Sequence, residues 1–185
     1  MKYIKTYCYA EHEIDFIKAQ LVQSDGYVDY VVVYEYDVTH LGDPKPFRLE
    51  SLIKTLDKNL SKRLIYRPVS VKHLCRQTKD SNIVHELNET VQRSYFFNDP
   101  FFNLNDEDII IDCDVDEIIY AHRFKELFLF QKIIGIPLAI KLNQFFFKST
   151  YLWTDAKFSA PTCYKFRSVK KPKKIINNTI KVCNR

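Results

Sequence analysis

Stretches rich in β-branched and aromatic residues alternate with amphipathic stretches along most of this chain of 185 residues. The stretch 28–36 (VDYVVVYEY) has a continuous apolar centre, which is typical of a strand covered on both faces. The pattern predicts strands at 3–9, 28–36, 64–71, 108–113 and 138–153 and helices at about 11–23, 49–60, 83–97 and 124–134. Pro68 indicates that its strand is short or lies at a sheet edge. We therefore expect an α/β fold, a single domain whose mostly parallel central sheet is flanked by helices.

The net charge of +5 is unevenly distributed along the chain. Residues 165–185 hold eight of the 28 basic residues and no acid, so the first 164 residues carry 20 basic and 23 acidic side chains, a net charge of −3. We accordingly expect a folded domain at 1–164 and a basic C-terminal tail at 165–185. The positive charge belongs to the tail, and the tail contains no known nucleic-acid motif, so nucleic acid is a disfavoured partner.

The five cysteines are odd in number, widely spread and form no C-x-x-C pair. This usage argues against a disulfide framework and against a zinc knuckle. The N-terminus has no signal-peptide pattern, and no apolar cluster approaches the ~20 residues of a membrane span. We expect no integral membrane contact and a cytoplasmic location.

Residues 99–117 contain eight acids and no basic residue. Asp112, Asp114 and Asp116 follow a strongly apolar stretch at a spacing of two, so on a continuing strand their side chains would point to one side. With no lysine or arginine nearby in the sequence, the carboxylates would repel one another, and a divalent cation would relieve that repulsion. Oxygen ligands suit Mg²⁺ or Mn²⁺ better than zinc. The alternative is a solvated acidic turn.

An apolar strand that ends in D-x-D meets the needs of a metal-dependent nucleotide-sugar enzyme. Two carboxylates hold the ion, and the ion neutralises the leaving diphosphate. Ligands of α/β sheets bind at the carboxyl ends of the strands, and a second polar strand end runs through residues 35–45.

Several segments resemble glycosyltransferase family 17 and occur in the order found in that family. The segments are 12–17 (HEIDFI), 28–35 (VDYVVVYE), 39–46 (THLGDPKP), Glu89 with Gln92-Arg93, and 110–118 (IIDCDVDEI). The resemblance covers about residues 3–155. It implies a GT-A-like fold, a divalent metal, and inverting transfer of a sugar such as GlcNAc from a nucleotide-sugar donor, a UDP-sugar, to a glycan acceptor. Two positions depart from the family pattern: Gln20 replaces a common helical arginine, and Ile119 replaces a proline. The Trp/His-containing closing segment of longer members is not found, which indicates a short form.

The resemblance implies that Asp114 and Asp116 are the metal and diphosphate ligands. Asp112 falls where relatives are usually apolar, so it is either a third ligand or a strand-end cap. The inverting reaction needs a general base, for which Glu117 and Asp155 are the candidates. Trp153 would either stack on a sugar ring or belong to the core.

The substrate-binding candidates lie at the other strand end and on the third predicted helix. Glu35 would accept hydrogen bonds from the base or ribose of the nucleotide, or it would face solvent. Thr39 and Lys45 lie in the following loop, where Lys45 would face the donor diphosphate or be a surface lysine. Arg93 would contact phosphate or brace the acids, or it would simply pair with Glu89 along the helix.

Two other classes of function remain open from the sequence. One is a catalytically inactive descendant that still binds a nucleotide or glycan. The other is a protein that binds an anionic surface or nucleic acid through its basic tail. His85 and His122 show no ligand spacing, and we interpret both as structural or surface residues.

Overall fold

The computed structural model describes residues 1–8, 10–71, 81–142 and 159–170. The strands are β1 (Lys2–Tyr7), β2 (Tyr30–Tyr36), β3 (Leu64–Val69), β4 (Ile109–Asp112), β5 (Leu138–Lys141) and β6 (Ser159–Lys165). The helices are α1 (Ile14–Gln23), α2 (Leu49–Ile53), α3 (Lys58–Ser61), α4 (Ser81–Ser94), α5 (Ala121–Ile133) and α6 (Arg167–Lys170). In this part of the chain no helix is both long enough and apolar enough to cross a bilayer.

The six strands form one mixed sheet in the order β3-β2-β1-β4-β6-β5. Strands β1 to β4 run parallel, whereas β6 pairs antiparallel with β4 and with β5. The chain builds the sheet outward from β1 through β2 to β3 and then returns to place β4 on the other side of β1. In open α/β sheets, ligands bind outside the carboxyl ends of the strands at such a reversal. The ends of β1 and β4 are therefore the expected place for a site.

The sheet carries a separate hydrophobic core on each face. On one face, α1, α2 and α5 cover mainly aliphatic side chains, with Val31 and Val33 of β2 at the centre. On the other face, the helix α4 and the residues after it cover an aromatic layer that includes Tyr34, Tyr36 and Phe96. Both faces are apolar because β2 and β4 are covered on both sides, as their unbroken apolar runs predicted.

The α/β alternation predicted from the sequence is confirmed, and β3, which contains Pro68, is an edge strand. The single helix predicted at 49–60 is wrong, because the segment forms the two short helices α2 and α3. Asp57 caps α3: its carboxylate accepts a hydrogen bond from the Asn59 N–H at 2.7 Å, which begins a new helix there. Of the strand predicted at 138–153, β5 is observed, and residues 143–158 lie outside the described part.

Strand β6 was not predicted, and it contains the start of the expected basic tail. Its sequence, SAPTCYK, has a proline and no apolar alternation, and it is a strand because it pairs along β4. Lys165 ends β6, and its Nζ lies 2.7 Å from a carboxylate oxygen of Glu107; Arg167 contacts the other oxygen at 2.6 Å. The first basic residues of the predicted tail thus pair with the folded domain. Residues 171–185 lie outside the described part.

Asp99 gives the stability of this fold a defined pH dependence. Its buried carboxylate accepts hydrogen bonds from Nε and Nη2 of Arg67, at 2.9 and 2.8 Å, and from the Tyr34 hydroxyl at 2.8 Å. Burial acts to raise the pKa of Asp99, but these hydrogen bonds outweigh burial and lower it below 3.8. A carboxyl with a lowered folded-state pKa stabilises the fold above its unfolded pKa, and that stabilisation is lost as pH falls through the folded pKa.

We expect Asp99→Asn to lower the free energy of unfolding by about 2 kcal/mol at pH 7, because Arg67 loses its charged partner. The variant should then lose less stability than the wild-type protein between pH 5 and pH 3. Urea unfolding at the three pH values measures both effects. An equal loss on acidification in the two proteins would show that Asp99 does not carry this dependence.

Candidate functional site

The acids that follow β4 form a turn, which we call the acidic loop (residues 112–117). Strand β4 ends at Asp112, and the chain turns at Val115 and Asp116. The strand does not continue, so the three aspartates do not share one side of it as the spacing alone suggested. They take three different environments instead.

The backbone of the acidic loop is held from its inner side. Glu117 accepts a hydrogen bond from the Asp114 N–H at 2.7 Å and returns one from its own N–H to the Asp114 carbonyl at 3.1 Å. The Gln20 side-chain amide donates to the carbonyls of Asp114 and Val115 at 3.2 and 3.1 Å. Gln20 and Glu117 are both buried, so they fix the shape of the loop from within the protein.

Gln20 is a site residue that sequence reasoning did not select. The available signal was that Gln20 is one of the two positions that depart from the pattern of the family that the sequence resembles. Glu117, a predicted catalytic base, lies under the loop among Gln20, Ile119 and Phe124, with 7% of the residue exposed. Burial raises the pKa of the Glu117 carboxyl to about 8. This environment suits a residue that shapes the loop.

Two of the acids have basic partners that are distant in the sequence. In the parallel pairing of β1 with β4, Lys5 lies beside Asp112, and the Lys5 Nζ is 2.8 Å from the Asp112 carboxylate. The Lys5 side chain is completely buried, and its Nζ also donates to the Arg93 carbonyl at 2.9 Å. The second oxygen of Asp112 is buried without a hydrogen-bond partner in the described residues. Asp112 therefore fits a structural role at the strand end better than a ligand role.

Arg93 of α4 connects the acidic loop to the helix. Its Nη2 donates to the Asp114 carboxylate at 2.6 Å, and its Nε donates to Glu89 at 2.8 Å. Arg93 thus combines two of the alternatives left open by the sequence: it pairs along the helix and it braces an acid. Burial raises the pKa of Asp114, and the guanidinium of Arg93 opposes that effect.

Asp116 lies exposed at the tip of the acidic loop. Within the residues that the structure describes, neither Asp116 nor the second carboxylate oxygen of Asp114 makes a hydrogen bond. These two side chains offer oxygen atoms on an accessible turn, which is the donor chemistry that Mg²⁺ and Mn²⁺ prefer. Asp114 and Asp116 therefore fit a divalent cation, whereas Asp112 does not.

A cavity of about 480 Å³ lies beyond the carboxyl ends of β1 and β2. Its walls include His12, Thr39, Lys45 and Arg48. Thr39 closes the loop that borders the cavity, since its hydroxyl accepts a hydrogen bond from the Asp43 N–H at 3.1 Å. Both Thr39 and Lys45, predicted as substrate contacts, are thus at a cavity wall. Asp155 and Trp153 lie outside the described residues.

Glu35 lines the same cavity, but its carboxylate is already hydrogen-bonded to other groups of the protein. Its carboxylate accepts from the backbone N–H groups of Arg48 and Leu49, at 2.8 and 3.1 Å, and from the Tyr66 hydroxyl at 2.6 Å. The Lys45 Nζ lies 3.5 Å away. The solvent-facing alternative for Glu35 is wrong because the residue is buried. Its carboxylate caps the first N–H groups of α2 and thereby stabilises the cavity wall.

Glu35→Gln tests this structural role. The amide group would replace one carboxylate oxygen with a donor that faces other donors, so we expect the free energy of unfolding to fall by about 1–3 kcal/mol. Urea unfolding measures the change. The control is Glu50→Gln on α2, where the side chain is exposed and pairs with Lys54, and we expect a change within about 0.5 kcal/mol. Equal effects in the two variants would contradict the assignment.

The sequence model of glycosyltransferase family 17 matches residues 7–175, a range that contains the acidic loop, α4 and the cavity wall. No curated protein matches the chain.

Proposed function

Because the chain belongs to glycosyltransferase family 17, we propose that it is an inverting, metal-dependent sugar transferase. The donor is a nucleotide sugar, with UDP as the nucleotide and GlcNAc as the sugar, and the acceptor is a glycan. We infer a GT-A-like fold, which the mixed, mostly parallel sheet flanked by helices supports. The donor, the metal and the stereochemistry are inferences that family membership alone does not give.

The observation that carries the proposal is the position of the acidic loop. It follows β4 directly beside β1, at the point where the strand order reverses. The cavity at the ends of β1 and β2 has a size within the ordinary range for small-molecule sites, about 300–1,000 Å³. An acid-rich turn at the same edge of the sheet as such a cavity suits a ligand with a neutral organic part and a metal-bound diphosphate.

We assign the metal to Asp114 and Asp116. A divalent cation held there would supply positive charge to offset the charge that develops on the leaving diphosphate. Arg93 keeps the Asp114 carboxylate oriented through the 2.6 Å contact. Gln20 and Glu117 hold the backbone of the loop, and both are positioning residues in this proposal.

The cavity receives the nucleoside, with Thr39 and Lys45 at its wall. The Lys45 ammonium, 14% exposed and 3.5 Å from Glu35, supplies a cation on the side where the diphosphate would enter. We assign the general base to Asp155 rather than to Glu117, because Glu117 is buried under the acidic loop, where its carboxylate accepts the Asp114 N–H and is kept from an acceptor hydroxyl. Trp153 is assigned to stack on the sugar ring.

A panel of nucleotide sugars, assayed for release of UDP or GDP with and without Mn²⁺, tests the proposed function. We expect slow hydrolysis of one donor without any acceptor, and only with the metal. Nucleotide binding that is enhanced by Mn²⁺ but never followed by turnover would identify a catalytically inactive descendant instead. The absence of both turnover and metal-enhanced binding across the panel would refute the proposal.

A further inference from the structure

A cluster of metal-binding side chains lies between the loop after β2 and the helix α4, and it shares no residue with the acidic loop. The Nδ1 atom of His40 is 3.3 Å from the Nε2 atom of His85. The Nδ1 atom of His85 is 3.8 Å from a carboxylate oxygen of Glu89. One possible ligand atom from each of the three residues lies within 4.8 Å of the other two.

Two elements bring the cluster together. His85 and Glu89 are four residues apart in α4, so they lie on one face of the helix. His40 comes from a loop that α4 holds in place: the Asn88 side chain donates to the His40 carbonyl at 2.9 Å, and the Gln92 side chain donates to the Val38 carbonyl at 3.3 Å. Asn88 and Gln92 are buried. The position of His40 against the helix is therefore set before any ligand binds.

The ligand chemistry favours a transition metal. Two imidazole nitrogens and one carboxylate oxygen are a common ligand set of Zn²⁺. Ligand atoms at about 2.0–2.2 Å from a tetrahedral ion are roughly 3.3–3.5 Å from one another, close to the 3.3 Å between the two histidines. The imidazole planes are nearly perpendicular, at 85°, and a carboxylate oxygen of Glu89 lies within 4.8 Å of a ring nitrogen of each histidine.

We propose that His40, His85 and Glu89 bind a transition-metal ion of the zinc type. This ion is distinct from the one assigned to Asp114 and Asp116, because it uses imidazole nitrogens where the acidic loop offers only oxygens. The two sites are connected. The other oxygen of Glu89 accepts the hydrogen bond from Arg93, which in turn contacts Asp114.

The test uses the full-length protein, freed of metal with a chelator and titrated with Zn²⁺ by calorimetry and with Co²⁺ by visible absorption. We expect one Zn²⁺ per chain at this site, and a Co²⁺ spectrum typical of nitrogen and oxygen ligands. His40→Gln and His85→Gln should each weaken Zn²⁺ binding by about 10-fold to 100-fold or more. Removing a residue that only supports a metal ligand already costs that much in metal affinity.

Two controls separate this site from other sources of binding. His122→Gln changes an exposed histidine of α5 that stacks on Tyr120, and it should leave the Zn²⁺ affinity unchanged. Asp116→Ala removes a ligand of the other proposed ion and should also leave it unchanged. Zn²⁺ binding that is equally tight in the wild-type protein and in His85→Gln overturns the proposal, as does binding that depends on Asp116 instead. His85 is about half exposed, so its replacement should not prevent folding, and thermal unfolding verifies this.

Discussion

Asp116→Ala should reduce metal-dependent release of the nucleoside diphosphate by about 10²-fold to 10³-fold, the range for removing one preorganised electrostatic contact from a transition state. Asp116 is exposed at the tip of the acidic loop, and no hydrogen bond or ion pair connects it to the rest of the described structure. We therefore expect the free energy of unfolding to change by less than about 0.5 kcal/mol. A large effect on rate with a negligible effect on stability is the pattern of a residue that contacts the reacting groups.

The measurement compares initial rates of UDP or GDP release at saturating Mn²⁺ and the best donor of the panel. Glu126→Ala is the matched control, since Glu126 is an exposed acid of α5 that pairs only with Arg123 among the described residues. We expect it to retain the full rate. If Asp116→Ala is as active as Glu126→Ala, the assignment of the metal to the acidic loop is incorrect, even if the protein proves to be a transferase.

Lys5→Met should have the largest effect on stability, a loss of about 3–5 kcal/mol in the free energy of unfolding. The Lys5 side chain is completely buried and its Nζ is 2.8 Å from Asp112. Methionine would fill a similar volume, but it would leave the Asp112 carboxylate in a largely buried position without its cation. The Arg93 carbonyl would keep one donor, because the Tyr7 hydroxyl also contacts it at 3.0 Å.

The double variant Lys5→Met with Asp112→Asn makes this prediction specific. Replacing both members of a buried ion pair costs much less than replacing one, so we expect at least half of the lost stability to return. Urea unfolding of the single and double variants measures the coupling. Lys18→Met, at an exposed lysine of α1, should change stability by less than about 0.5 kcal/mol. A double variant as unstable as Lys5→Met would mean that the lysine acts through packing rather than through Asp112.

Local patterns predicted most of the strands and helices because each depends on neighbours in the sequence. The apolar run of β2 and the helical spacing in α1 and α5 are properties of ten or so consecutive residues, and they were sufficient. Strand β6 shows where such patterns fail. Its residues have no apolar alternation, and they form a strand because β4 offers an unpaired edge.

For the candidate site as well, the sequence predicted some features and not others. The location of the acidic loop followed from an apolar stretch that ends in D-x-D, and the cavity wall at Thr39 and Lys45 followed from a strand end with two prolines. The roles of the individual side chains did not follow. Glu35 and Glu117 both proved to be buried and bonded to the backbone, because loops that return across a sheet end need acceptors for their N–H groups.

By itself, the sequence determined that this chain is an α/β protein, that its acids gather at one strand end, and that it resembles glycosyltransferase family 17. Only the tertiary structure decided which charges meet. Lys5 reaches Asp112 across 107 positions, Arg93 reaches Asp114 across 21, and His40 reaches His85 across 45. The properties of a carboxylate or an imidazole depend on every charge and donor within a few ångströms. The separation of two residues along the chain does not show whether their side chains become neighbours. The order of the strands in the sheet does show it.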